Sequence, residues 1–210
     1  MGADRDLVRL YWPVELRPAF DALFALDDAL ADVVARSREP MLGAIKLAWW
    51  RERLEELEAG RAPAEPRFRA VAAELIPRGI DGAALAELTD GWTTLLEEAP
   101  DAGRVGAGGA RLFAIGAQLL GASDPLIGSA GRLYRQADVA RRDLIAIPLP
   151  PEPLDELPGH RFSKASRPLT ALAALAARDS RRGEPEPEGT PGRALALVRH
   201  RLTGRIPRLG

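Results

Sequence analysis

The chain has 210 residues, 46% of them hydrophobic and 28% charged, with a net charge of −1. That is enough apolar sequence for one large domain with a substantial core, and the near-neutral balance gives no electrostatic case for a nucleic-acid partner. Cysteine is absent, which removes disulfides, thiolate nucleophiles and thiolate metal sites together.

Nearly every segment reads as helix: Ala and Leu dominate, and no stretch alternates with period two. The N-terminal MGADRDLVRLYWP lacks the basic flank and apolar core of a secretion signal. Residues 15–36 and 39–58 form a first long pair, broken at Glu39-Pro40, where Pro suits a first helical turn. A Pro-bearing linker from Gly60 to Pro66 follows. Helices are predicted over 67–76, 82–98 and 104–121. Gly103 to Gly109 has the glycines of a phosphate loop but neither its Gly-Lys-Ser/Thr ending nor a preceding strand, and reads as a turn entering or loosening a helix. Asp124-Pro125 opens a helix to about Ile145, and Pro148, Pro150, Pro151 and Pro153 then impose an extended passage. A helix spans about 168–181, a polar Pro-rich mobile loop 183–190, and Thr190-Pro191 caps a last helix to about Leu202. The longest apolar run, Leu169 to Ala177 with one Thr, falls short of the ~20 residues of a membrane span. The expectation is a single all-α domain over 1–210, cytoplasmic, either soluble or peripheral at the inner face of a membrane.

Glu39-Pro40-Met41-Leu42-Gly43, Lys46-Leu47 and Trp49-Trp50-Arg51 resemble the second helix of the squalene/phytoene synthase family. The likeness is to a short, divergent branch that includes assembly-factor-like members of respiratory complex I. Tyr11-Trp12-Pro13, Arg17 and Ala22 to Leu26 resemble the family's opening helix. Gln136 with Arg142-Asp143 resembles its second acid motif, and Ile147 to Pro150 the passage after it. The resemblance implies a helical bundle of the isoprenoid-synthase type. It also implies two aspartate motifs on facing helices that hold Mg²⁺ against prenyl diphosphates being joined head to head. Mg²⁺ bridges carboxylate and phosphate oxygens, and two carboxylates share one ion cluster only at a helical spacing of three or four.

The acids depart from that pattern. At ~100° per residue, Phe20, Leu23, Phe24, Leu30, Ala31 and Val34 define the apolar stripe of helix 15–36, and Asp27 falls near its centre. Asp21, Asp28 and Asp32 form a separate stripe expected to face solvent. Asp27 therefore points inward with no partner acid one turn away. It requires an Arg or Lys partner or must protonate, and is read as either a structural ion pair or a ligand contact. In the second motif Gln136, Arg142 and Asp143 match, but Val139 and Ile147 stand where Asn and the last Asp are expected. The stripe Leu126, Ala130, Leu133, Ala137 and Leu144 turns Arg141 inward and leaves Asp143 on another face. The resemblance makes Asp27, Asp28, Asp32 and Asp143 the candidate metal or catalytic acids, and Gln136, Arg141 and Arg142 the candidate substrate contacts.

In helix 39–58, Leu47, Trp50, Leu54 and Leu57 form one stripe, while Met41, Leu42, Ile45 and Trp49 cover another side. The first half of this helix is expected to be buried on two sides. His160, in a Pro-Gly-His-Arg loop, is expected at the surface. Arg193, Arg199, Arg201, Arg205 and Arg208 follow Glu188 with no further acid, and Leu195, Val198, Leu202 and Ile206 sit at helical spacing. Such a basic amphipathic end either rests on anionic lipid or packs on the bundle.

The leading expectation is a homologue that has lost head-to-head condensation. It would bind or assemble in an isoprenoid or respiratory-membrane context, with a prenyl diphosphate or other isoprenoid and a protein of a membrane complex as partners. The alternative is an active prenyl transferase using Mg²⁺ and unorthodox acids, Asp27 or Asp28 with Asp138 or Asp143. An unrelated helical scaffold is the third reading.

Overall fold

The computed structural model describes residues 2–59, 64–145, 154–182 and 186–207. Helices α1 (Ala3–Arg9), α2 (Arg17–Arg36), α3 (Pro40–Glu55), α4 (Pro66–Glu74) and α5 (Gly82–Ala86) make up the first part. Then come α6 (Leu88–Thr93), α7 (Ala102–Leu119), α8 (Ile127–Arg141), α9 (Arg167–Asp179) and α10 (Pro191–Thr203). Among the described residues there is no strand, only an isolated bridge between Arg161 and Arg205. The all-α class is as expected. Residues 60–63 of the linker, 146–153 with Ile147 and the Pro-rich passage, 183–185 of the loop, and Arg208 lie outside the described residues.

The helix starts follow local chemistry. Pro stands in the first turn of α2, α3, α4, α9 and α10. Glu65, Asp81, Asp101 and Thr190 accept from backbone N–H groups of α4, α5, α7 and α10, which satisfies donors that have no intrahelical partner. Three boundaries differ from expectation. Ala3–Arg9 forms a helix that the sequence pattern does not mark. The single helix expected over 82–98 is broken at Glu87 and tightens into a 3₁₀ turn at Thr94–Leu96. There the Thr89 and Thr93 hydroxyls donate to the carbonyls of Ala86 and Thr89, and this back-bonding loosens a helix. Helix α8 begins after Asp124, whose carboxylate accepts from Leu126 N–H, and it ends before the expected Ile145. Its stop is Asp143 at φ 54°, with Leu144 N–H donating to Val139 and Asp143 N–H to Ala140, the double bond pattern of a left-handed helix end.

Helix α2 lies at the centre, against α3, α4, α6 and α7, while α8 runs between α7 and α9, and α9 packs on α10 and α1. The expected stripe Phe20, Leu23, Phe24, Leu30, Ala31 and Val34 is buried throughout. Aromatic rings fill the space where α2, α7 and α8 meet: Trp12 on Phe20 at 4.9 Å, Phe20 on Phe24 at 4.5 Å, and Tyr134 against Phe24 at 6.3 Å and Phe113 at 5.4 Å. The apolar run in α9 is buried from Leu169 to Ala177. Among the described residues no helix is long and apolar enough to cross a membrane.

Helix α3 corrects one expectation. Leu47, Trp50 and Leu54 are buried and Trp50 stacks on Phe68 at 4.4 Å. Met41, Leu42, Ile45 and Trp49 are exposed instead of buried. The Leu47 side meets the bundle, whereas the other side stays largely open to solvent, with Trp49 set edge-on to the Phe68 ring at 5.6 Å.

Residues 103–109 lie inside α7 and not in a turn, and Gly108 and Gly109 serve packing there. A Cβ on Gly109 would lie 2.2 Å from the Gly131 carbonyl oxygen and 2.5 Å from Arg135 Cβ, and one on Gly131 would lie 2.3 Å from the Gly109 carbonyl oxygen. The backbones of α7 and α8 therefore touch at this crossing, directly beneath Arg135. Gly109→Ala forces them apart and is expected to cost about 2–3 kcal/mol in urea unfolding, whereas Gly128→Ala, where a Cβ meets only Ala110 at 3.8 Å, should not destabilise the fold.

Candidate functional site: an aspartate–arginine cluster

Asp27 and Asp28 are adjacent on α2, and the helical turn between them sends the two carboxylates to different neighbours. Asp27 is wholly buried. Its Oδ1 accepts from Arg135 Nη2 at 2.6 Å and from Trp92 Nε1 at 3.0 Å. The Arg135 guanidinium also lies over the Trp92 ring, 4.1 Å from its centre, so an aromatic face solvates a cation that has left water. Arg135 Nη1 approaches Asp138 at 3.6 Å, and Asp138 accepts from Arg142 Nε at 3.0 Å. Arg142 Nη2 reaches across to Asp28 at 2.6 Å, and Asp28 takes both Arg5 Nη groups, at 2.9 and 2.7 Å.

The result is one chain of alternating charge, Asp27–Arg135–Asp138–Arg142–Asp28–Arg5, in which three carboxylates balance three guanidiniums. A second chain lies alongside. Asp4 accepts from Arg193 at 2.7 Å, and Asp179 accepts from Arg193 and from Arg141, each at 2.5 Å. The space between the chains is small, about 50 Å³, and is walled by Arg5, Tyr134, Asp138, Arg141 and Asp179. An outer depression of about 460 Å³ opens from it past Asp28, Asp32, Arg67 and Arg142.

Charge and burial compete within the cluster. Burial pulls the Asp28 carboxyl upward, but the hydrogen bonds and charges of Arg5 and Arg142 outweigh it and hold the group below the ordinary carboxylate range. At Asp138 burial wins and lifts the carboxyl despite Arg142 and Arg135. Burial, reinforced by Asp138, also pushes the Tyr134 phenol far up, so it stays protonated. Its hydroxyl is buried and has no partner among the described residues.

The structure brings four of the candidate residues to one depression: Asp28, Asp32, Arg141 and Arg142. Asp28 is half-buried in the cluster and not on a solvated face, because α1 and the end of α8 cover that side of α2. Asp32 is half-exposed and pairs with Arg36 one turn on. Asp143 is exposed beyond the end of α8 and does not face Asp27, and Gln136 lies half-buried on α8 away from the depression. His160, expected at the surface, is half-buried with its Nε2 2.9 Å from Asp124. The sequence reading missed Arg5, Arg135 and Trp92. A signal for Arg135 was present: Arg135, Asp138 and Arg142 recur at three and four, on one side of α8.

Mg²⁺ needs carboxylate oxygens that can turn to the ion. Both oxygens of Asp28 and one of Asp138 are bonded to arginine, and three guanidiniums stand where a dication would sit. Among the described residues no three His, Cys, Asp or Glu side chains converge in a way that could hold a metal. This donor set does not fit magnesium.

The family model for squalene/phytoene synthase matches residues 2–102, which carry α1 to α6, Asp27, Asp28 and Trp92. That match supports membership of the squalene/phytoene synthase family. No curated protein and no solved structure matches the chain. The squalene/phytoene synthase match stops at the first residue of α7, so Arg135, Asp138 and Arg142 lie outside it, as does the likeness expected over 131–150. The cluster thus joins the matched half of the chain to the unmatched half.

Proposed function

We propose that the protein is a squalene/phytoene synthase-like binding or assembly protein that does not condense prenyl diphosphates. It works in an isoprenoid or respiratory-membrane context, peripheral to the inner face of a membrane. The observation that carries this reading is the neutral aspartate–arginine cluster. Condensation requires that charge leaving with a diphosphate be neutralised by metal or by free cations. Here each guanidinium of the cluster is committed to a carboxylate, and recruiting Arg135 would leave the buried Asp27 without its cation, at about 3–5 kcal/mol.

The filled interior supports the same reading, since at the cluster only the outer depression of about 460 Å³ reaches the size of a ligand pocket. Ligand pockets span roughly 300–1,000 Å³, whereas the inner space holds about 50 Å³ and Phe24, Phe113 and Tyr134 occupy the centre. Calorimetry with a non-hydrolysable farnesyl diphosphate analogue is expected to give no Mg²⁺-dependent binding. Tight binding that needs Mg²⁺ and disappears in Asp28→Asn or Asp143→Asn would sink this reading in favour of an active prenyl transferase.

A further inference from the structure

The outer face of α10 carries Leu195, Val198 and Leu202, which are 69%, 46% and 72% exposed, while Arg193, Leu197 and His200 on its inner face are buried. The expected packing of this helix on the bundle is therefore present, and a second apolar side looks out. At ~100° per residue the three exposed side chains span an arc of roughly 60°, with Arg199 just beyond one edge and Arg201 beyond the other.

Charge is concentrated around this face. Residues 161–207 hold ten Arg and Lys against four Asp and Glu, in a chain whose net charge is −1. In the first two thirds of the chain most arginines are tied to carboxylates, as in the cluster above. Here Arg161, Lys164, Arg181, Arg199, Arg201 and Arg205 have no carboxylate partner among the described residues. They also sit on both flanks of the apolar arc. A pocket of about 330 Å³ between α9 and α10 is rimmed by Arg181, Arg199 and Arg205, with Leu195 at its edge. On the other flank Lys164 and Arg201 border a hollow with Leu202, and Arg201 lies over the Tyr11 ring at 4.6 Å.

We infer that the outer face of α10 is a docking surface for an anionic phospholipid bilayer, with Leu195, Val198 and Leu202 entering the interface. The flanking arginines meet lipid phosphates, and the pocket rimmed by Arg181, Arg199 and Arg205 takes one headgroup. An apolar stripe between two rows of unpaired cations matches the layered chemistry of a bilayer surface, apolar beneath anionic. An acidic protein partner would satisfy the arginines but would leave the three leucine and valine side chains without a matching layer. This inference specifies the peripheral placement proposed above and rests on that part of it alone.

The test is sedimentation of the full chain with phosphatidylcholine vesicles, with and without phosphatidylglycerol, at low and high salt. Binding is expected only with the anionic lipid and should fall as salt rises. Arg199→Glu/Arg201→Glu should lower the partition roughly tenfold or more, and Leu195→Ser/Leu202→Ser should lower it several-fold, with circular dichroism unchanged because all four side chains are exposed. Equal binding to neutral vesicles, no binding to anionic ones, or an unaltered charge-reversal variant would overturn the inference. So would release by millimolar inorganic phosphate, which would make the pocket a site for the free ion. Prenyl diphosphate calorimetry reads the aspartate–arginine cluster instead, so failure of either reading is visible without the other.

Discussion

Arg135→Met is expected to destabilise the protein by about 3–5 kcal/mol. A domain of this kind has about 5–15 kcal/mol in all, so the variant should unfold at a much lower urea concentration. The loss comes from Asp27, which is wholly enclosed and would keep only the Trp92 N–H. Asp138 would lose a neighbouring cation as well. The double variant Asp27→Leu/Arg135→Met removes both charges and should recover most of the loss, since an apolar pair of similar volume commonly matches a buried ion pair. Denaturation midpoints of the three proteins measure the coupling. A loss below about 1 kcal/mol in the single variant would mean that the pair is not a buried one.

Acid should weaken the fold through His200, an expected loss on the order of 3 kcal/mol. Burial, only partly offset by the Arg205 carbonyl and aided by the Arg167 charge, brings this imidazole from 6.5 down to about 4. The ring sits between Thr170, 2.9 Å from Nε2, and the Arg205 carbonyl, 3.1 Å from Nδ1. The carbonyl only accepts, so Nδ1 carries the proton and Nε2 is left to accept from the threonine hydroxyl. Between pH 6.5 and about 4 the unfolded chain binds a proton that the folded chain refuses, so stability falls as pH falls through that window. Asp138, lifted by burial, works in the opposite direction and is present in any variant at position 200. The measurement is therefore a difference: unfolding free energy against pH for the natural chain and for His200→Gln. Parallel curves would remove His200 as the cause.

The helices were legible because their causes are local. Pro at first turns, Asp and Thr caps, and the apolar spacing of α2 mark their positions without any tertiary information. Burial on a second side was less so. Met41, Leu42, Ile45 and Trp49 have the periodicity of a core face, yet periodicity only says that a helix has an apolar side, and a neighbour must arrive to cover it. The glycines of α7 make the same point from the other direction. Without side chains they look like a loop, and their role is visible only when Gly131 is set against Gly109. For the site, the helical phase of α2 was enough to send Asp27 inward, with a cation as one of the answers left open. The cation that answers is 108 residues away, a separation over which one sequence carries no pairing information. Asp28 shows the limit most plainly. Its phase matches Asp21 and Asp32, but α1, too short to be marked by periodicity, lies across it.

The bond between Asp4 and Arg193 spans 189 residues. A ribosome making roughly 5–20 residues per second takes about 10–40 s to travel from one to the other. Once α2 is made, Arg5 and Arg9 can find Asp28 and Asp21, but Asp4 has no counter-charge until α10 follows, and α9, against which α1 packs, is made only shortly before it. Helix α1 is thus made long before the arginine that pairs with Asp4, and its locking waits for α10.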